Sequence, residues 1–424
     1  MRPDPVGPRE RAALVRLETK ASRLVDSDIL LDELTGLARA AGAEVVASLV
    51  QDRPSADPAT LIGKGKAATL ARVCDEANVD LVIVDNELSP AQARNLEKVC
   101  GRRVIDRTAL ILDIFARRAR TREGQLQVEL AQLQYMLPRL AGSSDALSRL
   151  GGGIGTRGPG ETKLETDRRR IRHRIAALKR DIAEVSRRRG YLRDRRRRSD
   201  VPVVALVGYT NAGKTTLFNR LTGASALASD TLFATLDPLM RRIKLPDARQ
   251  ALVADTVGFI DRLPHQLVAA FHATLEEVAE ADLLLHVQDA SAEDRDRRAA
   301  AVQGVLAEVG ATDVPRLDVF NKIDRLDGPQ LATLQTAHPD AVWVSALEDR
   351  GRATLVAALA ARFALDCERV RLTFDSDEAA DRDLLADVYR HATIVSQQAS
   401  GSRVSVEADV PRRLLGRYAR GRRI

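Results

Sequence analysis

The residues with the clearest chemical capacity lie in the middle of the chain. Gly208-Tyr209-Thr210-Asn211-Ala212-Gly213-Lys214-Thr215-Thr216 sets two glycines, a lysine and a hydroxyl at the spacing of a phosphate-binding loop. The glycines let the backbone curl so that its N–H groups point at phosphate oxygens. Lys214 would reach the β and γ oxygens, and the Thr215 hydroxyl would ligate Mg²⁺. Ala251 to Asp255 reads as an apolar strand that ends in Asp255-Thr256-Val257-Gly258. There Asp255 can hold the Mg²⁺ shell through water, and the Gly258 N–H can meet a γ-phosphate. Asn321-Lys322-Ile323-Asp324 follows the strand-like Leu317 to Phe320. Asp324 can accept two hydrogen bonds from guanine N1–H and the 2-amino group, a match that adenine lacks, so GTP is favoured over ATP. Ser345-Ala346-Leu347, after a further strand candidate at 341–344, would bring a backbone N–H toward guanine O6.

Between the phosphate loop and Asp255 lies Phe233-Ala234-Thr235-Leu236-Asp237, where a first switch segment belongs. Thr235 is the candidate second protein ligand to Mg²⁺ and the sensor of the γ-phosphate; the plain alternative is a β-branched residue in a loop. Lys214, Thr235 and Gly258 are the catalytic candidates. Each motif is short, but their order at successive strand ends is that of a guanine-nucleotide switch. Phe259 stands where many switch GTPases keep a Gln that orients the attacking water, and a phenyl ring cannot do so. Slow intrinsic hydrolysis is the consequence. Asn211 resembles the asparagine that helps bind K⁺ in a group of cation-activated GTPases; the alternative is that it caps the loop.

These residues need a parallel sheet to position them, and Val203 to Val207, running into the glycine loop and then a helical stretch, is its first strand. Residues 44–115 also alternate strand and helix, which implies a second parallel sheet whose strand ends could hold a ligand. Strands are expected at 44–50 and 80–84 and helices at 64–77, 89–99 and 108–117. Gly63-Lys64-Gly65-Lys66 is too short for a phosphate loop and reads as the start of a helix. Gly153-Ile-Gly-Thr-Arg-Gly158 matches a dinucleotide fingerprint but follows a helical stretch, so that reading is set aside. Leu126, Leu130, Leu133, Leu137 and Leu140, and again Ile171, Ile175, Leu178, Ile182 and Val185, repeat at alternating spacings of four and three. Two such seams predict a coiled-coil hairpin joined through the glycine-rich stretch 142–160. Beyond 360, strand patterns at 369–374 and 402–408 flank a helical one at 378–391.

The chain has 424 residues with a net charge of +7. Between Glu161 and Asp200 stand 16 Lys/Arg against 7 Asp/Glu, and Pro411 to Ile424 holds six Arg and no acid, so the remainder is acidic. A basic arm and tail on an acidic body fit a polyanion partner, and with 3% aromatic residues it would be held by backbone and shape rather than by base stacking. For the arm, with Arg168, Arg169, Arg170, Arg172 and Arg174 outside its seam and Arg157 and Lys163 near its tip, an RNA probe and a structural spacer are both open. The C-terminal arginines either touch RNA or fray. The start lacks an apolar signal segment, no run is long enough to span a membrane, and Cys74, Cys100 and Cys367 form no disulfide or zinc pattern. A cytoplasmic monomer is expected.

The chain resembles the HflX family, ribosome-associated GTPases within the Obg-HflX superfamily. The likeness rests on Gly151-Gly-Gly-Ile-Gly-Thr-Arg-Gly-Pro-Gly-Glu-Thr-Lys-Leu-Glu-Thr-Asp-Arg-Arg-Arg170, on Ile114-Phe-Ala-Arg-Arg-Ala-Arg-Thr-Arg-Glu-Gly124, on Leu126 to Leu140, and on GYTNAGKTTLFN, LFATLDP and DTVGFI. It implies an α/β architecture: an N-terminal parallel α/β domain (1–116) and a long two-helix coiled-coil hairpin (117–198), then a central P-loop GTPase domain (199–365) and a small C-terminal α/β domain (366–424). It further implies binding to the large ribosomal subunit, both ribosomal RNA and proteins, GTP-controlled separation of stalled or idle ribosomes, and an N-terminal domain able to bind a second nucleotide, ATP. Two departures are Thr215, where the family often has Ser, and Leu239-Met240, where threonines are common. The other function class is an RNA-binding assembly chaperone whose nucleotide site only tunes affinity.

Overall fold

The computed structural model describes residues 9–19, 27–142, 159–197, 201–225, 232–233, 235–236, 239–246, 249–262, 277–365, 367–411 and 414–418. Three sheets organise them. The N-terminal sheet has four parallel strands, β1 (Arg11–Glu18), β2 (Glu44–Asp52), β3 (Leu81–Val84) and β4 (Arg103–Asp106), in the order β2-β1-β3-β4. Side chains alternate across a strand, and β1 shows why both faces must be covered. Ala12 and Leu14 pack with α1 (Ser27–Ala40) and α4 (Arg107–Arg118), while Ala13, Val15 and Leu17 pack with α2 (Lys64–Glu76) and α3 (Pro90–Cys100). The sequence pattern found α2, α3 and α4 to within a residue or so. It missed β1, α1 and β4, and the central strand of the sheet is the costliest omission. Arg16 breaks the apolar run of β1, but in the fold it is buried and paired with Asp85.

The hairpin differs from a free arm. Helix α5 (Arg122–Met136) stops before Leu137 and Leu140, which lie at its C-cap and in the 3₁₀ turn Arg139–Gly142. Its most buried residues, Glu123, Gly124, Gln127, Val128, Leu130 and Ala131, form a face broader than the heptad seam. One side of α5 packs on α4 and the other on α6 (Pro159–Arg197), so the arm is rooted in the N-terminal layer. At its end Tyr135 and Arg139 both bond Asp106, at 2.8 and 2.9 Å, and the Arg139 guanidinium lies 3.5 Å from the centre of the Tyr135 ring. On α6, Leu178 is buried on the expected seam and Arg174 pairs with Glu129 through two 2.7 Å bonds. The glycine-rich stretch with Arg157 lies outside the described residues, as does the Lys163 side chain.

The central sheet has six strands in the order β10-β9-β8-β5-β7-β6: β5 (Val203–Val207), β6 (Leu239–Lys244), β7 (Gln250–Asp255), β8 (Leu283–Asp289), β9 (Arg316–Asn321) and β10 (Val342–Trp343). All are parallel except the edge strand β6. The long helices around it are α7 (Lys214–Thr222), α8 (Arg295–Glu308), α9 (Gly328–Ala337) and α10 (Arg352–Leu365). The C-terminal unit is an antiparallel sheet, β11 (Cys367–Asp375), β13 (Arg403–Pro411) and β12 (Thr393–Ser400), with α11 (Ala379–His391) on one face. Its middle strand β13 pairs β11 and β12 on either side. The pattern found β11, α11 and β13 but not β12, whose polar residues are almost all exposed. Among the described residues no helix is long and apolar enough to cross a membrane.

One hydrophobic core joins the first two sheets. Leu14, Leu34, Ile111 and Phe115 share it with Val207, Phe233, Leu236, Val257, Phe259 and Val302. Residues on both sides of the nucleotide loop therefore contribute to the contact between layers.

Candidate functional site

The segments that follow β5, β7, β9 and β10 open on a cavity of about 420 Å³. Two glycines make its floor possible. Gly208 has φ +154, and a Cβ there would collide with the Val287 carbonyl of β8; Gly213 has φ +89, and a Cβ would collide with the Asn321 amide. Only glycine tolerates both the conformation and the approach. Lys214 opens α7 inside the curl and donates to the carbonyls of Gly208 (2.9 Å) and Tyr209 (2.8 Å). Burial in the loop lowers its pKa to about 8, against the opposing pull of the Asp255 carboxylate.

Three oxygens converge beside it. Thr215 Oγ1 lies 2.7 Å from Thr235 Oγ1, and Asp255 Oδ2 accepts from both, at 2.8 and 3.0 Å. Two hydroxyl protons cannot serve all three edges of this triangle. Burial raises the Asp255 pKa, opposed by the Thr215 hydroxyl and Lys214, and its other oxygen, Oδ1, is buried with no hydrogen-bond partner. Thr210 Oγ1 is likewise buried and unpartnered. Gly258 sits over this group, where a Cβ would come within 2.9 Å of Thr210 Cα and 3.2 Å of Lys214 Nζ. Phe259 turns the other way. It is fully buried, its N–H donates to Gly208 O (3.1 Å), and its carbonyl accepts from Thr210 N (2.7 Å). The residue in the position of a catalytic Gln is thus a core anchor that ties the second switch to the phosphate loop.

The other end of the cavity is built by Asn321, Lys322, Asp324, Ala346 and Leu347. Asn321 links both ends: Nδ2 donates to Ala212 O and Oδ1 accepts from Ala346 N, each at 2.9 Å. Lys322, at φ +65, pairs with Asp289 at 2.7 Å; despite its burial, this bond and those from Ser291 hold the Asp289 carboxyl below its usual range. Asp324 accepts from Ser345 Oγ. Leu347, 69% exposed, forms an apolar rim.

The cavity collects most of the residues singled out in the sequence. Thr210, Asn211, Gly213, Lys214, Thr215, Thr216, Phe233, Thr235, Thr256, Gly258, Asn321, Lys322, Asp324, Ala346 and Leu347 line it. The side chains of Leu236 and Val257 instead enter the shared core. Ala234 and Asp237 lie outside the described residues. Tyr209 points toward the N-terminal layer, where its hydroxyl bonds Glu33 of α1 and accepts from Asp261 N at 3.0 Å. Sequence reasoning missed Arg325, which joins the lining, and Arg220 of α7, which donates to the carbonyls of Ala346 (2.9 Å) and Leu347 (2.8 Å). It also missed Asp289. Arg220 and Asp289 act through partners distant in sequence, and no local pattern announces them.

A glycine-curled loop between a parallel strand and a helix, with a buried lysine, a hydroxyl–carboxylate triangle and an Asn-Lys-x-Asp turn, defines a P-loop GTPase. Three family models agree with that class: residues 28–116 match a GTP-binding GTPase N-terminal region, 118–196 a GTP-binding GTPase middle region, and 203–322 a 50S ribosome-binding GTPase. GTPase HflX of Caldanaerobacter subterraneus subsp. tengcongensis is 46% identical over 95% of this chain and 91% of its own. GTPase HflX of Escherichia coli K12 is 47% identical over 83% of each. Among solved structures, a GTP-binding protein from Sulfolobus solfataricus in complex with GDP is 25% identical over 83% of this chain and 98% of its own, at a TM-score of 0.44. The chain belongs to the HflX family of GTPases.

Proposed function

We propose that this GTPase binds the large ribosomal subunit and, in its GTP state, separates stalled or idle 70S ribosomes, with hydrolysis releasing the factor. Support for the partner comes from the 50S ribosome-binding family model and from the exposed arginines of α6, including Arg169, Arg170 and Arg172, which can meet RNA phosphates. The observation that carries the mechanism is the shared core. Phe233 and Leu236 from the first switch, and Val257 and Phe259 from the second, are buried against the layer that roots the arm. A change at the γ-phosphate would therefore reach the arm through packing. We keep the division into 1–116, 117–198, 199–365 and 366–424, and place the protein in the cytoplasm as a monomer.

In this reading the N–H groups of the loop from Gly208 to Thr216 cradle the phosphates, and Lys214 carries positive charge to the β and γ oxygens. Asp324 and the Ala346 N–H read guanine. Mg²⁺ suits the triangle. The two hydroxyl oxygens meant to hold it directly, Thr215 Oγ1 and Thr235 Oγ1, lie 2.7 Å apart, and both donate to Asp255 Oδ2, which would sit outside the ion's shell. The unpartnered Asp255 Oδ1 suits a water of that shell. Among the described residues no cluster of three His, Cys, Asp or Glu offers a competing metal site. Thr215 and Thr235 would hold the ion directly and Asp255 through water; when bound, Mg²⁺ neutralises charge between the phosphates. K⁺ beside Asn211 would assist at the same place: that side chain is exposed at the cavity, while its left-handed φ of +58 suits the loop-cap alternative as well. ATP at the N-terminal domain has less support: the cavity of about 450 Å³ at its strand ends is lined by four acidic residues, Asp85, Glu87, Asp261 and Glu308, against two arginines, which ill suits phosphates.

Co-sedimentation with isolated 50S subunits tests the partner. Binding should be strong with an uncleavable GTP analogue and weak with GDP; equal binding in both states would contradict the switch.

A further inference from the structure

Three described residues of the first switch segment, Leu232, Phe233 and Leu236, pack with the N-terminal helices. Leu232 rests so close to α1 that a Cβ built on Gly36 would lie 3.1 Å from Leu232 Cδ1. Phe233 adopts φ +57, a left-handed conformation unfavourable for a bulky side chain, and is only 2% exposed. Its ring meets Phe115 of α4 edge-to-face, with centroids 4.6 Å apart and planes at 81°. Leu236 is buried in the same core. Thr235 lies between these anchors, and its hydroxyl completes the triangle with Thr215 and Asp255. A strained backbone persists where the surroundings over-determine it. Here a large part of those surroundings is Phe115, a residue of another layer that touches neither phosphate nor metal site.

We propose that Phe115, with Gly36 beneath Leu232, is a positioning element for Thr235, through which the N-terminal domain gives the GTPase site its preference for triphosphate over diphosphate. This rests on the reading of Thr235 as the γ-phosphate and Mg²⁺ contact. GDP makes no use of that contact. Loosening the brace lowers the population of the switch-competent form and weakens triphosphate binding by that fraction, while GDP binding is spared.

The test is calorimetric titration of the full chain, with Mg²⁺, by an uncleavable GTP analogue and by GDP, for the wild type, Phe115→Ala, Gly36→Leu and Thr235→Ala. Gly36→Leu guards against a Phe115→Ala protein that fails to fold. Leucine is a better helix former than glycine, so α1 is kept while the new side chain takes the space of Leu232. Both brace variants should weaken the analogue roughly tenfold and GDP by less than about twofold. If Thr235→Ala weakens only the analogue but Gly36→Leu and any folded Phe115→Ala change neither ligand, or both alike, the brace is overturned and the site reading stands. If Thr235→Ala leaves the analogue's affinity unchanged, the reading of Thr235 fails and the brace with it.

Discussion

The N-terminal and central sheets share one architecture, parallel strands with helices on both faces, yet the crevices at their strand ends differ. At the end of β5 two glycines hold open a cavity edged by a buried lysine, crowded hydroxyls and a carboxylate oxygen with no partner. At the ends of β3 and β4 a cavity of about 450 Å³ also opens, but the charges beside it are paired with one another. Asp85 pairs with both Arg16 and Arg107, and Arg107 also meets Glu33 and the Asp261 carbonyl. Burial opposes the charge on the Arg107 guanidinium, but Glu33 and Asp85 outweigh it and raise its pKa, so Arg107 stays charged. Both crevices hold a buried atom without a partner, Arg107 Nε in one and Thr210 Oγ1 and Asp255 Oδ1 in the other, but the first pairs its buried charges with each other. A shared fold supplies a place for a ligand; the side chains decide whether it is used.

That contrast can be broken most sharply at Asp85. Asp85→Ala takes the shared carboxylate from two buried guanidiniums, leaving Arg16 with Glu18 and Arg107 with Glu33, and should cost about 3–5 kcal/mol of stability, read from urea unfolding. A variant of unchanged stability that had lost nucleotide binding would show the N-terminal crevice to be a site rather than a seam. In the central crevice, Lys214→Ala should lower GTP turnover roughly a hundred- to thousandfold, from loss of one preorganised charge. Turnover near the wild-type rate would remove Lys214 from the chemistry. Asp324→Asn should weaken GTP by about 1–3 kcal/mol and favour xanthosine triphosphate, as competition between the two nucleotides would report. An unchanged preference would place base recognition elsewhere.

The smallest effect is on pH. Lys214 has a pKa of about 8 in the free protein, and phosphate binding favours its charged form. Between pH 7 and 9 the free protein loses that charge, so GDP affinity should fall as pH rises, with a limiting slope of about tenfold per unit. A flat profile would mean that the lysine meets the phosphates without titrating.

The central site was legible because its chemistry is local. Gly208, Gly213, Lys214 and Thr215 fall within one loop, and Asp255, Asn321 and Asp324 each end or follow an apolar strand. What escaped depends on partners far along the chain. β1 is interrupted by Arg16, whose burial makes sense only once Asp85 is beside it. The heptad reading of α5 found the seam toward α6 but not the second face toward α4, where Val128 and Ala131 are buried. Phe259 was read only as a side chain unable to orient a water, and nothing near it in sequence says that it is buried in a core shared with α4. The left-handed backbone at Phe233 has no sequence signature at all.

The account stands most directly on sucrose-gradient sedimentation of 70S ribosomes with this protein and an uncleavable GTP analogue. It predicts that the 70S peak falls into subunits, with the protein travelling on the large one. An intact 70S peak, with GTP turnover still stimulated by ribosomes, would contradict it and leave a ribosome-sensing GTPase that does not split them.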